Sequence, residues 1–258
     1  MINCPICKSK SDFLVSKKDS LNQAYDYYKC SNCRFLFDKD FENAGKIQEK
    51  IGKVYQNNYF EDIDYGWRER GDSYSKKIKG LLKAYKFFRF KKSASVLDYG
   101  GGNGYIASKI NGGIDLFYYD KYVKPSYPGA YKIVQEPGRS DVVLAIEVVE
   151  HMTDIAEWEN LANLSSDALI FTTEVSDGMS DKELSQSWYL RPDVGHVAVY
   201  SLDSLHIIAK KYGFSYIFFP SKSFHIFFRN SFLCMFNLVK LEYPFYNFLR
   251  IIKNIFKK

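Results

Sequence analysis

The sequence lacks several features that would place it in a special class of protein. Its 258 residues include only 7 prolines and 16 glycines, which excludes collagen-like and low-complexity chains. The segment MINCPICKSK has no apolar core of the kind found in secretory leaders, and nowhere do about 18 uncharged apolar residues follow one another. The sequence therefore predicts a cytoplasmic protein without a membrane-spanning helix.

The positive net charge of the chain is confined to residues 221–258, and the rest of the chain is nearly neutral. Between residues 221 and 258 there are seven basic residues and one acid, an excess that equals the net charge of +6. A nucleic-acid binder carries basic residues across its recognition surface, so no nucleic-acid partner is expected. With about 150 residues per domain, the length predicts one large domain and a small module. The high aromatic content, 17%, indicates an aromatic core or binding surface.

Four of the five cysteines form two close pairs. Two residues separate Cys4 from Cys7 and Cys30 from Cys33, and 22 residues lie between the pairs. Each pair allows one tight turn to present two thiolates to the same ion, and two pairs complete a tetrahedral shell suited to zinc. An all-sulfur shell leaves no position for water, so the pattern predicts a structural Zn²⁺ in a zinc ribbon over residues 1–37. Four unrelated buried cysteines are the alternative.

Residues 38–94 contain no glycine-rich loop and predict a helical connector. The apolar residues Ile78, Leu81, Leu82 and Tyr85 recur at helical spacing, which gives one apolar face. An aromatic group upstream predicts either a lid over a ligand or packing between the ribbon and the main domain: Tyr55, Tyr59, Phe60, Tyr65 and Trp67.

The segment 95–109 predicts a buried strand, a glycine turn and a helix. Glycines allow a ligand to approach the backbone, and the start of a helix offers free N–H groups. Gly102, Gly104 and Ala107 also satisfy the spacing of the dinucleotide fingerprint. The glycines alone therefore leave an NAD(P)-dependent oxidoreductase open as an alternative.

An acid placed before the glycines favours another cofactor. Asp98 precedes Gly100, Gly102 and Gly104 in the pattern Asp-x-Gly-x-Gly-x-Gly. A carboxylate there repels a pyrophosphate and attracts a cationic amino group. The run resembles the first motif of class I S-adenosylmethionine-dependent methyltransferases. That resemblance implies that Asp98 lies by the methionine moiety of the cofactor and that the three glycines pass beside it.

The next predicted strand ends at Asp120. The resemblance makes this acid the ligand of the cofactor's ribose hydroxyls, since the two oxygens of a carboxylate match a vicinal diol. From Asp120 to Asp141 the chain is short for a helix and a third strand, which departs from the family pattern. Gln135 and Glu136 lie where the family often places its adenine pocket.

The motif Glu147-x-x-Glu150-His151 follows the fourth predicted strand. It resembles a subgroup that includes quinone-biosynthesis O-methyltransferases and many bacterial small-molecule and sugar methyltransferases. The resemblance implies that His151 is a general base, because imidazole titrates near neutral pH, and that Glu150 or Glu147 orients it or contacts the cofactor. His196, in a Gly-His segment of the same subgroup, is a second candidate base or a metal ligand.

Residues 95–230 therefore predict an α/β fold, a Rossmann-like seven-stranded methyltransferase sheet that ends in an antiparallel pair. Together with the ribbon, it resembles bacterial sugar methyltransferases, which favours O-methylation of a small-molecule acceptor, a carbohydrate or sugar nucleotide. A different class of function is a zinc-ribbon binding module on a degenerate cofactor fold. The basic aromatic extension 231–258 predicts a peripheral membrane contact or a homo-oligomer contact.

Overall fold

The computed structural model describes residues 2–43, 45–46, 66–89, 92–110, 113–219 and 223–229. Most of the predicted aromatic lid and the extension 231–258 lie outside these residues. In chain order the described strands and α-helices are β1 (Ile2–Asn3), β2 (Lys10–Lys18), β3 (Ala24–Cys30), β4 (Leu36–Asp38), α1 (Trp67–Phe88), β5 (Ser95–Tyr99), α2 (Tyr105–Lys109), β6 (Asp115–Tyr119), β7 (Lys132–Ile133), β8 (Ser140–Ala145), α3 (Ala156–Leu164), β9 (Ser165–Thr172), α4 (Asp181–Gln186), β10 (Ala198–Val199), α5 (Leu202–Lys211), β11 (Ser215–Phe219) and β12 (Phe224–Phe228).

The larger sheet has seven strands in the order β11-β12-β9-β8-β5-β6-β7. The strands from β9 to β7 are parallel, whereas β12 is antiparallel to both β9 and β11. This arrangement confirms the predicted seven-stranded α/β sheet with a terminal antiparallel pair. The central strands β5 and β8 have apolar, buried centres because helices cover both of their faces.

Helices pack on both faces of this sheet. On one face, the predicted apolar stripe of α1, with Ile78 and Leu82, shares a buried cluster with Val96 and Ala107. On the other face, α3 and α5 share a cluster with Leu97. No helix occurs between residues 120 and 141, and the strand there, β7, has two residues. The short segment predicted from the sequence therefore replaces a full helix and strand.

The smaller sheet has five antiparallel strands in the order β1-β2-β3-β4-β10. Its first four strands contain the predicted ribbon, but β10 comes from the far end of the main domain and pairs Ala198 with Phe37 and Val199 with Leu36. The ring of Phe35 also packs on Tyr200, with 5.0 Å between ring centroids, in one continuous core. The ribbon and the main domain therefore share a sheet and a core.

Within the residues that the structure describes, no helix is long and apolar enough to cross a membrane.

Candidate functional site

A cavity of about 660 Å³ opens at the carboxyl ends of the parallel strands. The ends of β5, β6 and β8 form its floor, α1 forms one wall, and the segment 188–196 forms another. Ligands of open α/β sheets bind at this edge, where the loops that follow neighbouring strands converge. The cavity is therefore the candidate site against which each predicted residue can be placed.

The glycine loop is shaped by left-handed backbone conformations. Gly100, Gly102 and Gly104 have φ values of 69°, 58° and 81°, which side chains other than glycine rarely adopt. Gly100 and Gly102 line the cavity, as predicted, whereas Gly104 lies behind it at the start of α2. A Cβ atom on Gly104 would come within 2.8 Å of the Cβ of Pro125, so packing as well as conformation requires this glycine.

Asp98 lies beneath the loop and is only 2% exposed. Burial, together with the neighbouring Asp120, raises the pKa of its carboxyl group to about 7. Its Oδ2 atom has no hydrogen-bond partner among the described residues. Asp98 is not among the residues that line the cavity. A buried carboxyl group without a donor, directly below the glycine loop, fits a cationic amino group, which supports the predicted fit to S-adenosylmethionine.

Asp120 lines the cavity at the end of β6. Its Oδ2 accepts a hydrogen bond from Gly102 N (2.9 Å), and its Oδ1 accepts from Tyr122 N (2.7 Å) and Val123 N (2.8 Å). Burial raises the pKa of this carboxyl group, and the three hydrogen bonds oppose that shift. Asp120 thus ties the glycine loop to the end of β6, beside the position expected for a ribose. Gln135 and Glu136 do not line the cavity.

Glu147 lies on the cavity wall in a left-handed conformation, with φ 55°. For a residue other than glycine this costs about 1–3 kcal/mol. Thr172 compensates, because its Oγ1 accepts from Glu147 N (2.8 Å) and donates to Glu147 Oε1 (2.7 Å). Tyr74 also donates to Oε1 (3.3 Å), and Arg70 Nε lies 4.0 Å from Oε2. The carboxylate of Glu147 is therefore held in a fixed orientation at the cavity.

Glu150, His151 and His196 come together, with potential ligand atoms within 4.8 Å of one another. The two rings lie 5.0 Å apart between centroids, and both histidines line the cavity. Glu150 is 0% exposed, and neither carboxylate oxygen has a hydrogen-bond partner at normal geometry among the described residues. Burial and the neighbouring Glu147 raise the pKa of Glu150 well above its usual value. The structure thus brings the three predicted catalytic residues into one cluster.

Backbone carbonyl groups assign the tautomers of both histidines. His151 Nδ1 lies 3.1 Å from Gly195 O, and His196 Nδ1 lies 2.7 Å from Tyr189 O. A carbonyl oxygen only accepts, so each Nδ1 carries the proton and each Nε2 keeps a lone pair. Burial lowers the pKa of His151 to about 4 and the pKa of His196 well below its usual value. Both rings are therefore neutral near pH 7 and are weaker bases than the near-neutral titration predicted from the sequence. A neutral ring nitrogen can accept a proton or bind a metal ion.

The four paired cysteines also come together, at the end of the ribbon away from the hairpin turn. The Sγ atoms of Cys4 and Cys33 are 3.6 Å apart, and those of Cys7 and Cys30 are 3.4 Å apart. Tetrahedral zinc with four sulfurs at about 2.3 Å separates them by about 3.8 Å, so the four thiols fit a zinc ion closely.

Several residues of the cavity were not predicted. Arg70 and Tyr74 precede Ile78 by two turns and one turn of α1, so the helical periodicity could have placed them on the same face. Tyr189 and Arg191 belong to the wall that carries His196, but they lie in a segment without regular structure, where no local pattern indicates which way a side chain faces.

A comparison with family models identifies the family of the chain. A family model described as a methyltransferase domain matches residues 67–217, more than half of the chain. Among solved structures, the chain is similar to a magnesium protoporphyrin IX methyltransferase from Synechocystis PCC 6803 with bound SAH (17% identity, 74% of this chain and 98% of that chain, TM-score 0.45). It is also similar to an O-methyltransferase family protein from Burkholderia thailandensis (13% identity, 74% and 70% coverage, TM-score 0.42). No curated protein matches the sequence.

The family match begins at the first residue of α1 and extends into β11. It therefore contains the glycine loop, Asp120, the Glu/His cluster and every wall of the cavity except Ser223. The chain belongs to the methyltransferase domain family, and it is an S-adenosylmethionine-dependent methyltransferase.

Proposed function

We propose that this methyltransferase methylates a hydroxyl oxygen of a small carbohydrate or sugar nucleotide, with His151 or His196 as general base. The observation that carries the proposal is the pair of neutral imidazoles on the cavity wall, each with an Nε2 lone pair, beside the buried Glu150. The resemblance to quinone and sugar methyltransferases favours the same acceptor chemistry.

The residues around the glycine loop would hold the cofactor. S-adenosylmethionine, when bound, supplies a methyl group activated by its sulfonium. Asp98 would balance the charge of the amino group from below the loop, and Asp120 would accept hydrogen bonds from ribose hydroxyls. Because Asp120 already accepts from Gly102 N, the same carboxylate would keep the loop in its left-handed conformation.

The histidine cluster would prepare the acceptor. An imidazole Nε2 would take the hydroxyl proton as the acceptor oxygen bonds to the methyl carbon and the sulfonium–methyl bond breaks, which leaves an ether, a neutral thioether and a protonated ring. The resulting imidazolium lies beside Glu150 and would release its proton to water when the product leaves, which restores the neutral ring. Alignment within the cavity supplies the remaining rate enhancement.

The mouth of the cavity suits a polar acceptor with apolar faces. Trp67 and Trp188 present aromatic surface there, and Trp188 is among the exposed large apolar residues of the molecule. Arg70 and Arg191 add guanidinium groups that can donate to hydroxyl, carboxylate or phosphate oxygens. This combination supports a sugar or sugar nucleotide.

A divalent cation held by Glu150, His151 and His196 is a second candidate mechanism. The specific observation is the buried carboxyl group of Glu150, which has no hydrogen-bond partner at normal geometry among the described residues and lies beside two nitrogen donors. Mixed nitrogen and oxygen donors suit Mn²⁺, Fe²⁺ or Zn²⁺. An acceptor hydroxyl bound at such a site would lose its proton more easily, without a general base.

We infer a structural zinc ion at Cys4, Cys7, Cys30 and Cys33, supported by the sulfur distances. The cytoplasmic location, the absence of a nucleic-acid partner and the membrane or homo-oligomer contact of residues 231–258 stay predictions.

The first test is calorimetric titration with S-adenosylmethionine, with NAD and NADP as controls. Selective binding of S-adenosylmethionine is expected, and binding of NAD instead would contradict the cofactor assignment. A screen of sugar nucleotides then measures methyl transfer in wild type, His151→Gln and His196→Gln. The matched control is His206→Gln, because His206 is an exposed residue of α5.

The base should account for about 10²–10⁴-fold in rate, so one of the two cavity variants should lose at least that much while His206→Gln keeps wild-type activity. Activity that EDTA removes and Mn²⁺ restores favours the cation mechanism. Full activity of both cavity variants would exclude both mechanisms.

A further inference from the structure

We propose that the cysteine ribbon positions the histidine cluster, and that Tyr27 is the positioning residue through which it acts on His196. The inference rests on the proposed function, because it concerns the imidazole that would receive the proton or bind the cation. In this proposal the ribbon contributes to catalysis and is not only a binding module.

Tyr27 connects the strand that ends at Cys30 to His196. It lies on β3, three residues before Cys30, and is 0% exposed. Its hydroxyl group donates to His196 O at 2.7 Å, a contact between residues 169 positions apart. Burial raises the pKa of Tyr27 well above its usual value, so the hydroxyl group keeps its proton and remains a donor.

The neighbouring backbone carries the connection to Glu150. Asp38 N, at the end of β4, donates to Val197 O at 3.0 Å, and Val197 N donates to Glu150 O at 3.0 Å. His196 N in turn donates to Arg191 O at 3.2 Å. Residues 196 and 197 are therefore held between a ribbon strand on one side and, on the other, the short 3₁₀-helix Val149–His151, which contains Glu150.

A second set of contacts keeps the ribbon in register with this segment. Ser201 Oγ donates to Cys33 O, so the carbonyl of a cysteine ligand is bonded to the start of α5. Tyr200, packed on Phe35, donates to Val149 O at 3.1 Å, which lies in the same short helix as Glu150. Contacts from β3, β4 and the loop that joins them thus reach residues 196–201, and Tyr200 in turn reaches the segment of Glu150.

Loss of the Tyr27 hydroxyl group should alter the cluster without unfolding the protein. Tyr27→Phe keeps the ring in the core but leaves His196 O without this donor, so the segment 195–197 can shift. A displacement of about 1 Å in a catalytic group can reduce turnover by about 10²-fold. Cofactor binding should be unaffected, because Asp98, the glycine loop and Asp120 make no contact with Tyr27.

The matched control is Tyr25→Phe. Tyr25 lies on the same strand and its side chain is equally inaccessible, but its hydroxyl group donates to Asp19 Oδ2 at 3.5 Å, within the ribbon. Both variants therefore lose one hydroxyl group from β3, and the bond to His196 O is the one that Tyr27→Phe removes.

The experiment uses full-length protein labelled with ¹⁵N at histidine. Long-range ¹H–¹⁵N spectra report the tautomer of each imidazole, and His151→Gln and His196→Gln assign the signals. We expect wild type and Tyr25→Phe to show His196 with the proton on Nδ1, and Tyr27→Phe to show a shifted or mixed tautomer signal. Titration with S-adenosylmethionine should give the same affinity in all three proteins. On the best acceptor of the screen, kcat of Tyr27→Phe should fall at least tenfold.

Identical imidazole spectra for Tyr27→Phe and Tyr25→Phe, with equal kcat, would overturn the positioning role and leave the proposed function intact. If His151→Gln and His196→Gln both keep wild-type activity, the proposed function is contradicted, whatever the spectra show. The two failures are therefore distinguishable.

Discussion

Asp98 is a buried acid whose charge should depend on whether the cofactor is bound. Its pKa is raised to about 7, so the unliganded protein is destabilised as pH rises from about 4 to 7, where the unfolded chain releases this proton and the folded chain holds it. The cost approaches about 4 kcal/mol above pH 7. A cationic amino group beside the carboxylate would lower the pKa again and recover that energy.

We therefore predict opposite effects of Asp98→Asn on stability and on binding. The variant should melt at a higher temperature than wild type at pH 8, with a smaller difference at pH 5, and should bind S-adenosylmethionine at least tenfold more weakly at pH 8. Thermal unfolding and calorimetry at both pH values measure the two effects. Asp115→Asn, at the exposed start of β6, is the control. A variant that binds the cofactor as tightly as wild type would contradict the assignment of Asp98.

Thr172 should be essential for the conformation of Glu147. Thr172→Val removes both hydrogen bonds to a strained, half-buried position, and we expect a loss of about 1–3 kcal/mol in the free energy of unfolding. Thr172→Ser keeps the hydroxyl group and should recover most of that loss. Urea denaturation compares the three proteins, and equal stability of the valine and serine variants would show that the hydroxyl group does not hold Glu147.

Residue patterns in the sequence predicted which residues form the site better than they predicted the distant residues that contact them. Asp98 lies near the end of a strand, and Asp120 and His151 follow strands, all in recognisable motifs, so their place at one sheet edge could be inferred. The contact of Tyr27 with His196 could not, because it joins residues 169 positions apart and neither lies in a pattern that indicates the other. Local sequence contains no information about that pairing.

Helix α5 begins with a capping box whose serine, Ser201, also bonds to the ribbon. Ser201 Oγ accepts from Ser204 N and donates to Cys33 O, and Ser201 N donates to Ser204 Oγ. Helix α4 has a similar box at Ser180 and Glu183, but Ser180 is exposed. The two helices therefore offer a matched comparison of a buried cap and an exposed cap.

We predict that Ser201→Ala destabilises the protein more than Ser180→Ala does. Loss of an N-cap costs about 1 kcal/mol, and the unsatisfied carbonyl of Cys33 adds about 1–3 kcal/mol for Ser201 alone. Chemical denaturation of both variants measures the difference. Equal losses would mean that the bond to Cys33 contributes nothing to stability.

At the level of elements, long apolar runs were predictable and short strands were not. Strands β5 and β8 are buried on both faces, and their sequences are correspondingly apolar. The two-residue strands β7 and β10 exist only because a neighbouring strand is there to pair with them. The sequence predicted a ribbon and a main domain as two modules. In the structure β10 of the main domain pairs with β4 of the ribbon, so the two modules share one sheet.

The whole molecule should respond as one unit to loss of the metal ion. Because the ribbon and the main domain share a core and a sheet, removal of zinc with a chelator should lower one melting transition of the entire protein. Calorimetry with and without chelator, with metal analysis of the starting protein, tests this. A separate ribbon transition that leaves the main one unchanged would contradict the shared core.

The pairing of β4 with β10 also has a consequence for synthesis on the ribosome. Strand β4 ends at residue 38 and its partner begins at residue 198, so the edge of β4 emerges 160 residues before β10 can cover it. At about 5–20 residues per second, that edge waits roughly 10–30 s with its backbone groups unpaired. During this interval the nascent chain presents a free strand edge to other chains, and early zinc binding would limit aggregation by holding β3 and β4 together.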